Sequence, residues 1–519
     1  MFTKRRGWPE AISCCRYPNR WGSLVKTVLV TGFAAYSTAC SPRSGPDIDG
    51  LVAEYSIRPE DSLKREAALF FKEQLANQSS EVNEFRDEMS GEPVTMDWDS
   101  IQGEASIAGF LSARSLAVTT KNVSDAGILT NSMLKSHIEH YDFYMRKWAW
   151  NRKADRRTLH NYLLAYKIFR EEPGAWREYF MAAHGDYLKK VLASQQFGLG
   201  WSSDNPVQHA LTLMDMANNW FTYEDAGLGG IGAMSFPMMK CLRKGNCYFG
   251  AYAGVYILRS FGIPAALDIV PYWGSRNGGH AEVSALDGNG KMSAIPRHQL
   301  SHAAKVFRLS FMPVNIWRDS IKPLIANDSF LLPAIAHDHW EDATADHTDA
   351  GDINIDMPMP LRRKMAYICA FNYGEWQPVY WGAVRAGGTV SFRQMGKGIL
   401  YCTAWPEGQG IRLAGKPFVW DSSGIQRVCA PNMRHQVEMK LSKLNTGARA
   451  WVEKGRTYTL YRLGEEGEWL EIMDVHCERN GELPVVKAPA GGVYRLVDKR
   501  GDGRLERPFE YKDDQQLWK

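Results

Sequence analysis

The feature that most constrains the fold is one stretch, residues 241–291, in which an apolar helical pattern passes directly into apolar strand patterns. It reads "CLRKGNCYFGAYAGVYILRSFGIPAALDIVPYWGSRNGGHAEVSALDGNGK". The part "NCYFGAYAGVYILRSFGI" predicts a buried helix, which Gly262 ends and which Pro264 prevents from resuming. "AALDIVPYW" and "HAEVSAL" predict two antiparallel strands joined by "GSRNGG", and the turn "DGNG" leads into a third strand, "KMSAI".

Cys247 stands in the first turn of the predicted helix, two residues after Gly245. The residues on its own face are small or apolar, namely Ala251, Gly254, Val255 and Leu258. That face is expected to pack closely on a sheet. Gly245 is expected to give the backbone a tight turn into the helix, because glycine adopts conformations that other residues avoid.

The thiol of Cys247 and the imidazole of His280 form the first candidate site. A thiol at a helix N-terminus lies at the positive end of the helix dipole, which favours the thiolate. His280 begins the strand beside this helix, and a base placed against a thiolate is the arrangement that thiol acyl chemistry needs. On spacing alone, the alternative is the more common case: an inert Cys247 and a His280 that makes a loop hydrogen bond.

Composition and length predict a globular protein of several domains. A chain of 519 residues is too long for one hydrophobic core, and 45% apolar with 23% charged residues is an ordinary globular composition. A net charge of +4 over this length predicts no nucleic-acid partner. Because the sequence lacks a run of 18 or more apolar residues, no membrane-spanning helix is expected.

Three further regions differ in their patterns. Helix patterns dominate residues 60–225, namely "SLKREAALFFKEQLAN", "SMLKSHIEHYDFYMRKWAW", "LHNYLLAYKIF", "WREYFMAAHGDYLKKVLA" and "PVQHALTLMDMANNWFTY". Residues 300–350 predict irregular chain, and the acidic "HWEDATADHTDAGDINID" at their end predicts a boundary. From residue 353 to 519, short apolar runs broken by glycine-rich turns, such as "GILYCTAW" and "RTYTLYRL", predict strands.

The N-terminal segment predicts export. "VKTVLVTGFAAYSTAC" combines Lys26, an apolar run and small residues ahead of a cysteine, as in a bacterial lipoprotein signal peptide. Cleavage behind Ala39 would leave Cys40 for lipidation, and the polar residues after it would form a flexible tether to the membrane. The expected location is the periplasm or the outer membrane, and a cleaved signal without lipid is the alternative. The long leader favours a translation start near Leu24 or Val25.

The cysteine and metal-ligand patterns predict neither a disulfide scaffold nor a metal site. The cysteines after Cys40 are Cys241, Cys247, Cys369, Cys402, Cys429 and Cys477. None of them forms a CxxC pair, and no histidine lies at zinc-finger spacing from them. Cys369 and Cys402 lie in strand-like runs and are expected to be buried as small hydrophobic residues. Neither EF-hand spacing nor HExxH occurs, so no metal ion and no cofactor are expected.

Several stretches together carry a resemblance to a known family. Besides "GNC", "LRSFGIPA" and a histidine that opens a strand, they are "AYKIFREEPGAWREYF", "DIVPYWGSRNGGH", "AKVFR", "FNYGEWQPVYWG", "MGKGILY", "KPFVW" and "ERPFEY". In this order they resemble the transglutaminase-like (papain-like) cysteine fold, and more narrowly a set of exported Bacteroidetes lipoproteins with such a core. The resemblance extends from about residue 130 to the C-terminus.

The resemblance implies that Cys247 is the nucleophile and His280 the general base. It also implies a carboxylate that orients the imidazole from the next strand, where "SAIPRH" offers none. Asp268 and Glu282 are the candidates for this role, Glu282 because it shares a strand face with His280. Asp287 belongs to the hairpin turn and is expected to face solvent. A Cys–His dyad without a carboxylate and an inactive site are the alternatives.

The expected architecture is α+β, with a helical N-terminal region, a transglutaminase-like core and C-terminal β-sandwich domains. The expected divisions are a signal peptide at 1–40, a tether and helical region at 41–150, the core at 151–350, and β-rich domains at 351–433 and 434–519.

Three functions are compatible with such a chain. The first is thiol-dependent hydrolysis of an amide bond in a peptide, an isopeptide or a glycan-linked asparagine, with Cys247 attacking and His280 protonating the leaving amine. The second is acyl transfer from a protein glutamine to a lysine amine, which fold analogy alone supports. The third is a binding lipoprotein with an inactive core, in which aromatic residues such as those of "FNYGEWQPVYWG" hold a polysaccharide or peptide.

Overall fold

The computed structural model describes most of the chain after the N-terminal segment. The described residues are 45–101, 106–196, 205–224, 231–295, 300–314, 324, 338–357, 363–408 and 410–519. The expected signal peptide and Cys40 lie outside them. Helices and strands are mixed, and strands dominate the C-terminal part, which confirms an α+β chain with a β-rich C-terminal region. Within the described residues, no helix combines the length and the apolar character needed to cross a membrane.

The helices confirm four of the five N-terminal patterns. The helices in the described residues are α1 Ile48–Glu54, α2 Ser62–Gln74, α3 Ile107–Ala113, α4 Asn131–Lys147, α5 Arg156–Leu159, α6 Trp176–Gln196, α7 Pro206–Trp220, α8 Phe236–Leu242, α9 Cys247–Ser260 and α10 Thr344–His347. Pro206 is the first residue of α7, where its fixed φ fits a helix and its missing N–H is not needed.

The pattern "LHNYLLAYKIF" does not form the continuous helix that was expected. After α5 the chain makes one π-helical turn, His160–Leu164, and then leaves helical structure. The buried guanidinium of Arg177 donates to the carbonyl oxygens of Leu163, Leu164 and Ala165. These carbonyl groups would accept bonds within a continued helix, so a distant charged side chain replaces the local hydrogen bonds.

The N-terminal region also contains a sheet that the helical reading of residues 60–225 missed. Its strands are β1 Ser79–Asp87, β2 Pro93–Val94 and β3 Leu116–Ser124, in the order β2-β1-β3. Phe85 pairs with Val118 across β1 and β3 and packs against Trp98 at a ring-centroid distance of 5.7 Å. One apolar pair with an aromatic residue beside it gives two mostly polar strands a buried face.

The central sheet is formed by the strands that follow α9. The next strands in the chain are β4 Thr222–Tyr223, β5 Lys244–Gly245, β6 Ala265–Val270, β7 His280–Leu286, β8 Met292–Ala294, β9 Phe307–Leu309 and β10 Trp340–Asp342. Five of them form an antiparallel sheet in the order β10-β9-β6-β7-β8. This confirms the predicted helix, the predicted hairpin and the third strand after "DGNG".

The first residues of the acidic segment, which was expected to mark a boundary, contribute to this sheet. β10 pairs with β9, and the buried ring of Trp340 lies 5.5 Å from the ring of Phe307. Thr344, the first residue of α10, is fully buried, and its hydroxyl accepts a hydrogen bond from the backbone of Val306 at 3.0 Å. The buried Trp340 and this hydrogen bond hold the first part of the acidic segment on the core.

The β-rich region follows from residue 350. Its strands are β11 Ala350–Asp356, β12 Met365–Asn372, β13 Glu375–Ala383, β14 Thr389–Gly396, β15 Ile399–Glu407, β16 Gly410–Leu413, β17 Phe418–Trp420, β18 Gln426–Val428, β19 Asn432–Met439, β20 Thr457–Leu463, β21 Trp469–His476, β22 Val486–Ala490, β23 Val493–Asp498, β24 Phe509–Lys512 and β25 Gln515–Trp518. The larger sheets have the orders β13-β12-β15-β17-β18, with β16 beside β15, and β21-β20-β23-β24-β25. The pairs β11–β14 and β19–β22 form two separate two-stranded sheets.

The hydrophobic core around α9 continues into the β-rich region. A single cluster of buried side chains includes Val255 on α9, Phe371 on β12 and Val493 on β23. Cys369 and Cys402 are register partners on β12 and β15 and have no exposed surface, which confirms their expected burial. The sheets of the C-terminal part therefore share apolar contacts with the region that contains Cys247.

Candidate active site

The first turn of α9 presents Cys247. The side chain of Asn246 accepts a hydrogen bond from the backbone N–H of Tyr248 at 3.1 Å and so caps the helix. Of the six described cysteines, Cys247 is the one with partial exposure, and the other five are buried. A partly exposed thiol at a capped helix N-terminus has both the access and the local dipole that a reactive cysteine requires.

Gly245 does not provide the tight turn that was expected from its position before Cys247. Its φ does not lie in the left-handed region that favours glycine. A Cβ atom at this position would lie 2.9 Å from a ring carbon of Phe249 and 3.2 Å from one of Phe221. The glycine is therefore needed for close packing beside the first turn of α9.

Helix α9 lies on strand β7 with the two running in the same direction. A Cβ atom on Gly254 would be only 2.8 Å from Cγ2 of Val283, so the helix approaches the strand as closely as its glycine permits. At the other end, the backbone N–H of Leu286 donates to the carbonyl oxygen of Pro264, just past the helix, at 2.9 Å.

This packing sets the two candidate catalytic residues at the same edge. Cys247 precedes Gly254 by seven residues, which is about 10 Å along a helix at its usual rise. His280 precedes Val283 by three residues, which is about 10 Å along a strand. Counting back equal lengths from one point of contact brings the backbones of Cys247 and His280 to the same end of the α9–β7 pair, with the His280 side chain on the strand face that also carries Glu282.

His280 is the first residue of β7 and pairs with Val270 on β6. Its ring stacks on Trp273, with centroids 5.9 Å apart and planes at 29°, and the guanidinium of Arg276 lies 3.9 Å from the centre of the same indole. Burial lowers the pKa of His280 below its usual 6.5, and Arg276 lowers it further, while Glu282 acts in the opposite direction. The imidazole is therefore neutral at pH 7, as a proton acceptor must be.

Glu282 lies between two imidazoles. Its Oε2 is 4.0 Å from Nε2 of His280, and its Oε1 is 2.7 Å from Nδ1 of His347. The first distance is that of a long ion pair rather than a hydrogen bond, and the second is a close ion pair. Glu282 was expected to contact His280 because the two residues share a strand face. Its carboxylate instead lies closest to a second histidine, His347.

Asp268 lies opposite Glu282 in the β6–β7 register and has almost no exposed surface. Its carboxylate accepts two hydrogen bonds from the guanidinium of Arg308, at 2.9 and 2.7 Å, and one from Ser284 at 2.6 Å. Burial alone would raise the pKa of Asp268, but Arg308 and His347 outweigh it and lower this pKa to about 2. The contacts that lead from Asp268 to His280 pass through His347 and Glu282.

His347 is the residue of this cluster that the sequence did not reveal. It ends α10, and its Nε2 lies 2.5 Å from Oδ2 of Asp268. Burial would lower the pKa of His347, but its bonds to Asp268 and Glu282 raise it to about 9. The one signal in the sequence was an apolar Trp340 within the acidic run, which indicates that this segment returns to the core.

Asp287 does not face solvent as expected. It is buried, and its Oδ1 accepts hydrogen bonds from the backbone N–H groups of Asn289 and Lys291 at 2.8 and 2.9 Å. The side chain therefore closes the β7–β8 turn internally, which is a common use of aspartate in turns. As for metal binding, within the described part of the chain no three His, Cys, Asp or Glu side chains form a group that could hold an ion.

Comparisons with known proteins add little to this geometry. No protein-family model matches the chain, and no curated protein matches it. Among solved structures, the chain is similar to red sea bream transglutaminase at 10% identity, over 84% of this chain and 77% of that one, with a TM-score of 0.20. A likeness at that score carries no argument about fold or activity.

Proposed function

We propose that this protein is a thiol-dependent hydrolase of amide bonds, built on a transglutaminase-like core with β-sandwich domains after it. The observation that carries the proposal is the parallel packing of α9 on β7. In support, Cys247, whose thiol is partly exposed, and His280, whose imidazole is neutral, lie at the same end of this pair. The substrate class is a peptide, an isopeptide or a glycan-linked asparagine.

The reaction proceeds by two acyl transfers. The Cys247 thiolate, whose proton has passed to His280, attacks the carbonyl carbon of the amide. The C–N bond then breaks, and the His280 imidazolium gives its proton to the leaving amine. Water, deprotonated by His280, attacks the thioester, which releases the carboxylic acid and returns the thiol.

Glu282 and His347 support the base in this proposal. The imidazolium that forms on His280 gains from the nearby Glu282 carboxylate, which lies 4.0 Å from its Nε2. His347, which lies 2.7 Å from that carboxylate and 2.5 Å from Asp268, holds it in place. Glu282 is the orienting carboxylate of the proposal, and Asp268 acts one contact further away.

The test is the reactivity of Cys247 with iodoacetamide at pH 7, read from the peptide that contains it. We expect labelling at least about tenfold faster than that of free cysteine, and the rate of an ordinary thiol in His280→Ala. Cys241 is the internal control, because burial raises its pKa. Labelling of Cys247 no faster than free cysteine would overturn the enzyme proposal and leave the binding lipoprotein.

A second assay distinguishes hydrolysis from acyl transfer. Incubation with glutamine-containing or asparagine-containing peptides and a fluorescent primary amine is expected to give a new carboxylate and little amine incorporation. Amine incorporation that exceeds hydrolysis would instead identify a protein-glutamine acyl transferase.

The location is part of the proposal. We infer that the chain is exported and anchored to the membrane through lipid on Cys40. Cys40→Ser is expected to move the protein from the membrane fraction to the soluble fraction of cells. Equal membrane association of the two forms would argue against the lipid anchor and would leave the proposed chemistry untouched.

A further inference from the structure

The loop at residues 271–279, which leads into His280, is fixed by side chains from the β-rich region. The first is Asn372, the last residue of β12, which has no exposed surface. Its amide group donates to the carbonyl oxygens of Trp273 at 3.0 Å, Arg276 at 3.1 Å and Gly278 at 3.2 Å. Its own oxygen accepts from the N–H of Gly278 at 2.9 Å. One side chain thus joins both ends of the loop.

The second is Arg507, which precedes β24 and is also buried. Its guanidinium donates to the carbonyl oxygens of Gly274 and Phe371 and, at 3.3 Å, to the side chain of Asn277. The amide of Asn277 in turn donates to the carbonyl oxygen of Leu505 at 2.9 Å. The loop is therefore bonded at Gly274 and Asn277 to a segment more than two hundred residues away in sequence.

These contacts reach His280 through Trp273. The indole N–H of Trp273 donates to the carbonyl oxygen of Gly279 at 3.2 Å, and its ring stacks on His280. Gly274 packs closely against the β-rich region, since a Cβ atom at this position would lie only 2.4 Å from the side chain of Ile399. The position of the His280 ring follows from the position of the loop.

We propose that Asn372 and Arg507 are positioning residues for His280, so that the β-rich region sets the geometry of the base. The consequence of these two residues for catalysis rests on the proposed function. Their effect on the position of the His280 imidazole does not depend on it. The three stretches involved are "DIVPYWGSRNGGH", "FNYGEWQPVYWG" and "ERPFEY". These stretches are distant in sequence, and the hydrogen bonds of Asn372 and Arg507 bring them together at the loop before His280.

The test compares Asn372→Leu with Asn151→Leu. Asn151 is equally buried, and its amide donates to the carbonyl oxygens of Tyr144 and Gly262, near the opposite end of α9. Both substitutions replace an uncharged side chain by an uncharged one with the same number of heavy atoms. Neither therefore adds a charge near His280. Each removes donors from buried carbonyl groups, which destabilises both variants.

Two measurements separate positioning from general destabilisation. The first is the titration of His280 by NMR, assigned by comparison with His280→Gln. The groups that face this imidazole are Trp273, Arg276 and Glu282. In Asn372→Leu we expect the His280 pKa to rise toward its usual 6.5, because the displaced ring becomes more exposed to solvent. In Asn151→Leu we expect no change. The second is Cys247 labelling at pH 7, expected to fall severalfold only in Asn372→Leu.

The outcomes distinguish this proposal from the function. Equal effects of the two variants on the His280 titration, or no effect of either, would overturn the positioning role. Slow labelling of the wild-type thiol would overturn the proposed function, while the titration would still test the positioning. If Asn372→Leu does not fold, Arg507→Lys takes its place, because it keeps the charge and loses the forked contacts to Gly274 and Phe371. An unchanged His280 titration in that variant would equally overturn the role.

Discussion

Nε2 of His347 lies 2.5 Å from Oδ2 of Asp268, and neither side chain has any exposed surface. The other ring nitrogen of His347 lies 2.7 Å from Glu282, and Asp268 is also bonded to Arg308. Positive and negative groups therefore alternate from Arg308 through Asp268 and His347 to Glu282. This order keeps the Asp268 carboxylate ionised, although burial alone would favour its neutral form.

The first prediction concerns the stability of the protein against pH. Because the pKa of His347 is raised from 6.5 to about 9, the folded protein holds a proton that the unfolded chain has released between these values. The free energy of unfolding is therefore expected to fall as pH rises from about 6.5 to 9, on the order of 3 kcal/mol from this residue. Urea unfolding at a series of pH values measures it.

His347→Gln is expected to flatten this pH dependence, while His435→Gln, at an exposed position on β19, is expected to leave it unchanged. A wild-type free energy of unfolding that stays constant between pH 6.5 and 9 would contradict the charged state assigned to His347.

The second prediction ranks the two carboxylates. Asp268→Asn leaves Arg308 and His347 without their buried partner and is expected to destabilise the fold by about 3–5 kcal/mol. Glu282→Gln, at a position that is partly exposed, is expected to cost about 1 kcal/mol and yet to slow Cys247 labelling severalfold. The melting temperature and the rate of Cys247 labelling, measured for both variants, test this ranking. Loss of labelling without loss of stability in Asp268→Asn would show that Asp268 is the orienting group instead.

The sequence was sufficient to predict the core elements, because their signals are local. The apolar run of α9, the stop at Gly262 and the two strands after it follow from periodicity and turn residues, and the structure has them all. The helix expected across residues 159–169 fails for the opposite reason. Arg177, further along the chain, binds the carbonyl groups on which that helix depends, and no local pattern reports this.

The candidate site was partly predictable. Cys247 and His280 were marked by their places at the start of a helix and of a strand, and their catalytic roles stay predictions. The pairing of Asp268 with Glu282 was not fixed by the sequence, because the loop between β6 and β7 is too long to set a register by itself. Its conformation depends on Asn372 and on the C-terminal segment. His347 was missed because it comes from a part of the chain whose composition indicates a boundary.

The third prediction concerns the fragment 353–519. The β-rich region satisfies groups of the core: Lys305 donates to the carbonyl oxygens of Arg393 and Gln394 at 2.7 and 3.1 Å, and Arg507 to that of Gly274. We expect the isolated fragment to lack a cooperative melt, or to melt more than about 10 °C below the whole chain. Differential scanning calorimetry measures this.

Co-expression of residues 45–352 with this fragment is expected to restore a soluble complex, because both partners of each hydrogen bond are then present. A fragment 353–519 that melts cooperatively at the temperature of the full chain would show that the β-rich region is an independent folding unit.

The last prediction tests the close contact between α9 and β7 at Gly254. Alanine at Gly254 would place its Cβ 2.8 Å from Val283 and 2.9 Å from Met214, so these side chains must shift or α9 must move away from β7. This overpacking is expected to cost about 1–3 kcal/mol, against a gain of about 1 kcal/mol from the helix preference of alanine. Alanine at Gly250 meets nothing closer than 3.8 Å, so it should gain stability instead. Cys247 labelling at pH 7 is expected to fall severalfold in Gly254→Ala and to stay at the wild-type rate in Gly250→Ala. Equal labelling of the two variants would mean that the fit of α9 on β7 does not control the reactivity of Cys247.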